Sequence, residues 1–293
     1  MDRSKEFRVL IASDGSLSAT AAVVSAQRFP WPEGTRAFGV VAREPASPQL
    51  RPASRATFDR ASKAIAENTA TALQGRWPGV RVGLVQGPAV GAIVKRAAAV
   101  HADVIVLGWR GHGPIRRLLA GSVSRGVVRS APCSVLVVRR AMTGVRTVVI
   151  GFDGSAPAKR AVAMVARLRP PVNGRVLLVT AAETMRTTSN ALLPSDVRGE
   201  VAAEVARVNR LTIATARAHL GAAARTLRAA GWKTQLRVTE MGPLRSVLAA
   251  VTETDADLLV VGARGVTGLK RILLGSVAEG SLDRCSVPVL IVR

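Results

Sequence analysis

The sequence predicts an α/β protein: two doubly wound, parallel, five-stranded α/β sandwiches in tandem. Three observations predict it. Short β-branched runs alternate with longer Ala-rich segments of helical period, the alternation that lays helices on both faces of a parallel sheet. Runs such as DVIVLG (103–108) are apolar throughout, as a strand buried on both faces must be. The whole series also occurs twice.

The repeat is explicit. FRVLIASDGS (7–16) returns as RTVVIGFDGS (146–155), and ADVIVLGWRG (102–111) as ADLLVVGARG (256–265). IRRLLAGSVSRGV (115–127) returns as LKRILLGSVAEGS (269–281), and CSVLVVR (133–139) as VPVLIVR (287–293). The order is the same in both halves, so this is a duplication. Asp14 and Asp153 are 139 positions apart, whereas Gly108 and Gly262 are 154 apart. The second half therefore holds fifteen extra residues, expected around 183–200. RRAMTGV (139–145) separates the halves, giving expected units 1–141 and 142–293.

In the first half, strands are expected at 8–12, 37–42, 80–85, 104–107 and 135–138. Helices are expected between them at 18–27, 55–74, 90–100 and 122–130. The last strand of each half, 135–138 and 289–292, is apolar and would form a sheet edge, which proteins normally pair or cover.

Composition bounds the function. At 293 residues with 48% hydrophobic and 21% charged side chains, the chain reads as two ordinary globular domains. Two cysteines without paired spacing exclude a disulfide framework or zinc ribbon. The start has no secretory h-region and no apolar run is long enough to span a bilayer, so a cytoplasmic protein without membrane attachment is expected. The net charge of +23 fits nucleic acid, an anionic surface or a phosphorylated ligand. The basic residues are nevertheless spread along the chain, and with 3% aromatics and no tyrosine there is little to stack on bases. Nucleic acid is therefore not the expected partner.

In a doubly wound sheet, ligands bind beyond the carboxyl ends of the strands, at the switch point. After the fourth strand stand Gly108-Trp109-Arg110-Gly111, nine residues, then Gly121-Ser122. The second half repeats this as Gly262-Ala263-Arg264-Gly265, nine residues, then Gly275-Ser276. Glycines after a buried strand allow a tight turn and close backbone approach. A Gly-Ser pair opening a helix offers free N–H groups and the positive end of the dipole to an anion. Ser122 and Ser276 are expected as N-caps and as hydroxyl donors to a phosphate oxygen. Arg110, Arg116, Arg117, Arg264, Lys270 and Arg271 add positive charge. Each piece alone is ordinary structure, but their combination at fixed spacing, twice, points to a phosphate group. No Walker-type loop or G-x-G-x-x-G fingerprint occurs.

On these motifs both halves resemble the universal stress protein family, in its ATP-binding branch, over nearly the whole chain. The resemblance implies an adenine nucleotide alpha hydrolase-like fold, with the last strands paired in an intramolecular pseudo-dimer. It implies an ATP site in each half, with or without Mg²⁺, in a stress-response regulator. In the first half the implied set is Ala12, Ser13, Asp14, Val41, Gly87, Gly108, Arg110, Gly111, Gly121, Ser122 and Val123. In the second it is Gly151, Phe152, Asp153, Thr180, Gly242, Gly262, Arg264, Gly265, Gly275, Ser276 and Val277. Within these, Asp14 and Asp153 would lie by the ribose, and the backbone of Val41 and Thr180 by the adenine. Gly87-Pro88 and Gly242-Pro243 read as matching turns after the third strand. Trp109 against Ala263 is the departure that would make the two affinities differ. A homodimer and an unidentified protein partner are also expected.

Chemistry beyond binding finds little support. His112 follows Gly111, but the second half has Val266 there, so no shared mechanism requires it. Asp14 or Asp153 could hold Mg²⁺ through the nucleotide phosphates. No second carboxylate or base is evident, so a binding protein is expected rather than an enzyme. A weak ATPase or nucleotide-processing enzyme on the same scaffold is the alternative, and a nucleic-acid-binding protein the next. Cys133 and Cys285 read as small core residues.

Overall fold

The computed structural model describes residues 6–43, 52–109, 121–185, 195–264 and 274–293. The first half runs β1 (Arg8–Ala12), α1 (Leu17–Arg28), β2 (Arg36–Arg43), α2 (Pro52–Gln74), β3 (Arg81–Gln86), α3 (Ala89–Ala99), β4 (Val104–Gly108), α4 (Ser122–Ser130) and β5 (Ser134–Val138). The second runs β6 (Thr147–Gly151), α5 (Ala156–Arg167), β7 (Arg175–Ala181), α6 (Ser195–Ala229), β8 (Lys233–Thr239), α7 (Pro243–Glu253), β9 (Leu258–Gly262), α8 (Ser276–Arg284) and β10 (Val289–Val292). The expected elements are present, with ends shifted by at most three residues. Much of the extra length in the second half is helix: α6 has 35 residues where α2 has 23.

The strands form one ten-stranded sheet in the order β3-β2-β1-β4-β5-β10-β9-β6-β7-β8. Pairing is parallel within each half and antiparallel only between β5 and β10, where Leu136 faces Leu290. The two would-be edges thus close on each other. Val135, Leu136, Val137, Val289, Leu290 and Ile291 are all at most 2% exposed. Burying each such side chain is worth about 1.5–3 kcal/mol, so the junction is hydrophobic core, not a contact between finished surfaces.

Side chains alternate between the two faces. Val9, Ile11, Leu136, Val138, Leu290 and Val292 join one core cluster with α1, α2, α5 and α6. Leu10, Ile105, Val135, Val137, Val289 and Ile291 join the other with α3, α4, α7 and α8. Each cluster runs through both halves without a break.

A pair of arginines exchanges helix caps across the junction. Arg139, just after β5, donates through Nη2 to the carbonyls of Leu282 and Asp283 at the end of α8. Arg293, just after β10, donates through Nη2 to the carbonyls of Val128 and Arg129 at the end of α4. A helix C-terminus carries unsatisfied carbonyls and the negative end of the dipole, so a cation there is favoured. Ion pairs Arg125–Asp283 and Arg129–Glu279 join α4 to α8 directly.

Candidate functional site

In the first half the strand order 3-2-1-4-5 puts the switch point between β1 and β4, and in the second it lies between β6 and β9. The turn after β1 and the end of β4, like the turn after β6 and the end of β9, are therefore neighbours at the carboxyl edge of the sheet. The turn is built identically in both halves. The Ser13 N–H donates to the Val40 carbonyl at 3.0 Å, and the Phe152 N–H to the Val179 carbonyl at 2.8 Å. Oδ1 of Asp14 accepts from the Ser16 N–H at 3.0 Å, and Oδ1 of Asp153 from the Ser155 N–H at 3.0 Å. Such side-chain turns hold the chain in a sharp bend, completed by Gly15 and Gly154 at φ of +75° and +78°. The hydroxyls of Ser16 and Ser155 then cap α1 and α5 by accepting from the N–H groups of Ala19 and Ala158. Both aspartates are exposed, so the bend presents a carboxylate to solvent at the switch point.

The first glycine of each loop answers to packing. A β-carbon on Gly108 would lie 2.5 Å from the carbonyl carbon and oxygen of Ser18 in α1. One on Gly262 would lie 2.7 Å from Cβ of Pro157 and 2.9 Å from its carbonyl carbon. Close approach of the neighbouring helix alone thus excludes any side chain there, a constraint separate from ligand access. Arg110, Gly111 and Gly265 lie outside the described residues, as do His112, Arg116, Arg117, Lys270 and Arg271.

At the far end of each loop the serines are not N-caps, contrary to expectation. The caps are Gly121 and Gly275, which form no side-chain cap bond; Ser122 and Ser276 are the first helical residues. The reason is conformational, since glycine readily takes the non-helical cap geometry. Gly121 is left-handed at φ +83°, whereas Gly275 is extended at φ −69° and ψ 152°. Ser122 and Ser276 are exposed, followed by Val123 and Val277 in a first turn whose N–H groups have no intrahelical acceptor.

The halves differ beneath this turn. A β-carbon on Gly121 would lie 3.0 Å from Cζ2 of Trp109, whose ring is 5% exposed. The guanidinium of Arg139 sits 4.4 Å from the Trp109 ring and that of Arg125 5.5 Å from it, within cation–π range. Ser124 donates to the carbonyls of Gly108 and Trp109 at 2.7 and 3.1 Å. In the second half Ala263 replaces the indole, Ala278 replaces the hydroxyl, and the Ala263 carbonyl accepts the Gly275 N–H at 2.8 Å.

Val41 and Thr180 lie inside their strands, since β2 continues to Arg43 and β7 to Ala181. Val41 is buried and Thr180 half-buried. The Gly-Pro turns are not equivalent. Gly87 is left-handed at φ +127°, whereas Gly242 is the N-cap of α7 at φ −58°. Sheet pairing sets Phe38 against Arg81 and Leu177 against Gln235, which makes Met241 the counterpart of Gly87 and Pro88 that of Gly242. Gly242, Ser276 and Val277 instead share the mouth of an open groove of about 720 Å³ between α7 and α8.

The model of the universal stress protein family matches residues 7–139 and, a second time, residues 144–293. The chain belongs to the universal stress protein family. A universal stress protein of Thermus aquaticus is 39% identical over 132 residues, spanning 43% of this chain and 94% of that protein. The universal stress protein YxiE of Bacillus subtilis is 43% identical over 51 residues, 17% of this chain and 34% of its own length. The crystal structure of a universal stress protein from Archaeoglobus fulgidus aligns over 98% of this chain and 96% of its own, with a TM-score of 0.66 at 17% identity. That likeness shows the same tandem-domain fold.

Among the described residues of this universal stress protein, no three His, Cys, Asp or Glu side chains cluster as metal ligands, and no helix is long and apolar enough to cross a membrane. Burial, with Asp103 adding to it, pushes the Cys133 thiol up to about 12, and burial raises that of Cys285. Both stay protonated near neutrality and are poor nucleophiles. Burial and then the nearby Arg264 lower the Arg293 guanidinium. Two features escaped sequence reasoning. The arginine cross-caps left no local signal, because each partner is in the other half. The approach of His219 to the Asp153 turn left none either, since its equivalence to Ile65, 154 positions earlier, says nothing of what either side chain packs on.

Proposed function

We propose that the chain is an adenine-nucleotide-binding regulator of the stress response, with one site in each half. The observation that carries this reading is the repeated pairing, at both switch points, of an exposed aspartate turn with an exposed helix N-terminus opened by Gly-Ser. The N–H groups of Ser122 and Val123, and of Ser276 and Val277, would receive phosphate oxygens, with the serine hydroxyls as further donors. Arg110 and Arg264 would add charge, and Gly111 and Gly265 would set no side chain against the phosphates. Asp14 and Asp153, at the end of Ala12-Ser13 and Gly151-Phe152, would accept ribose hydroxyls. Backbone of Val41 and Thr180 would face the base, with Gly87 and Gly242 at the rim. ATP is the ligand of choice; a Mg²⁺ ion would be held through its phosphates, needing one carboxylate from the protein.

The reading divides the chain into units 1–141 and 142–293 that bind nucleotide rather than turn it over. It places the protein in the cytoplasm, as a homodimer acting on a protein partner. The test is calorimetric titration of ATP into the full chain and into the Ser122→Glu/Ser276→Glu double variant. A glutamate there favours the helix dipole, so the fold is spared while phosphate is repelled. Saturable binding by the parent, lost in the variant, supports the reading. No binding, or unchanged affinity in the variant, overturns it.

A further inference from the structure

The register between the halves sets His219 of α6 where the first half has Ile65 of α2. Both side chains lie against the left-handed turn that carries the aspartate. A β-carbon on Gly15 would lie 3.0 Å from Cγ1 of Ile65; one on Gly154 would lie 3.4 Å from Nδ1 of His219. With glycine at both positions, the imidazole packs on the Asp153 turn where the isoleucine packs, somewhat closer, on the Asp14 turn. His219 is exposed, and its imidazole has no hydrogen-bond or ion-pair partner among the described residues. Oδ1 of Asp153, on the same turn, is committed to the Ser155 N–H.

At this point the second half offers an unused hydrogen-bonding group, and the first half a hydrocarbon wall. An imidazole carries at least one N–H and, when neutral, one acceptor nitrogen, so it can serve a hydroxyl in either sense. A site that hydrogen-bonds a ligand hydroxyl rejects the analogue lacking it, whereas an apolar wall barely distinguishes the two.

We propose that His219 is a specificity-determining contact of the second-half site, hydrogen-bonding a ribose hydroxyl beside Asp153, a contact that Ile65 cannot make in the first half. This rests on the adenine-nucleotide reading above. The two sites then differ in sugar selectivity, not only in strength. One hydrogen bond of ordinary net worth corresponds to about a fivefold difference in affinity.

The test titrates ATP, 2′-deoxy-ATP and 3′-deoxy-ATP into the full chain carrying Ser122→Glu, which leaves the second site, or Ser276→Glu, which leaves the first. For at least one deoxynucleotide, the loss relative to ATP should be about fivefold greater at the second site than at the first, where Asp14 alone serves the ribose. His219→Ile should bring the second site to the first site's ratio, His219→Gln should retain the preference, and Ile65→His should create it in the first half. Thermal unfolding of each variant separates a lost fold from a lost contact, and the ratio between two ligands is not moved by a merely structural role. A deoxynucleotide ratio equal in the two halves, or unchanged by His219→Ile, overturns the proposal while leaving the nucleotide reading in place. Absence of ATP binding at either site overturns both.

Discussion

The two halves share a backbone plan yet support their loops differently. In the first half, α4 rests on the indole of Trp109, its cap glycine is left-handed, and Ser124 ties the helix to the end of β4. In the second, Ala263 lies under α8, the cap glycine is extended, and its own N–H closes onto the Ala263 carbonyl. What both keep are the aspartate turn, the glycine that lets the neighbouring helix pass, and an exposed first helical turn. The aspartate turn and the packed glycine are thus common to both halves, whereas the helix cap changes with the bulk beneath it.

The linkage is also one-sided. Arg139 caps α8 of the second half and lies over Trp109, which abuts the cap glycine of the first. Arg293 caps α4 of the first half, but Ala263 offers it no ring. A single arginine therefore touches the supports of both candidate sites.

Four substitutions would break or sharpen this comparison. The largest effect is expected for Trp109→Ala. Truncating a buried indole costs about 3–5 kcal/mol, and loss of the support beneath Gly121 should also weaken ATP binding in the first half only. Urea unfolding and half-specific titration check both, and a cost below about 1 kcal/mol would show that Trp109 does not carry the loop. Next, Arg139→Met should cost about 2 kcal/mol, since it removes charged hydrogen bonds to two carbonyls and the stacking on Trp109. Arg293→Met should cost about 1 kcal/mol, because its Nε is buried without a partner and Arg264 is a like charge nearby. Equal losses in thermal unfolding would mean that the aromatic contact contributes nothing. Smallest is the pair of exposed bridges between α4 and α8. Arg125→Gln should cost about 0.5 kcal/mol at low salt and nothing measurable at 1 M salt, where screening is nearly complete.

Much of the architecture was legible because its signals are local. Continuous apolar runs mark strands buried on both faces, and the repeat offsets of 139 and 154 place the extra residues between the second and third strands of the second half. The aspartate turn was legible for the same reason. The serines were misread as caps because Ser before a helical run is the usual cap signal, and only backbone angles show that the preceding glycine takes that place. The Gly-Pro pairs were matched by identity, whereas the sheet register offsets them by one residue.

By itself the sequence determined the fold class, the duplication and the order of elements. These follow from side-chain periodicity and from the short-range demands of turns and helix starts. Only the tertiary structure decided the antiparallel register that sets Leu136 against Leu290, that Gly108 yields to α1, that Arg139 and Arg293 cap each other's helices, and that His219 faces the Asp153 turn. Each of these joins residues far apart in the chain, and such contacts are set by packing density and by the need to satisfy buried backbone groups, which no local pattern encodes.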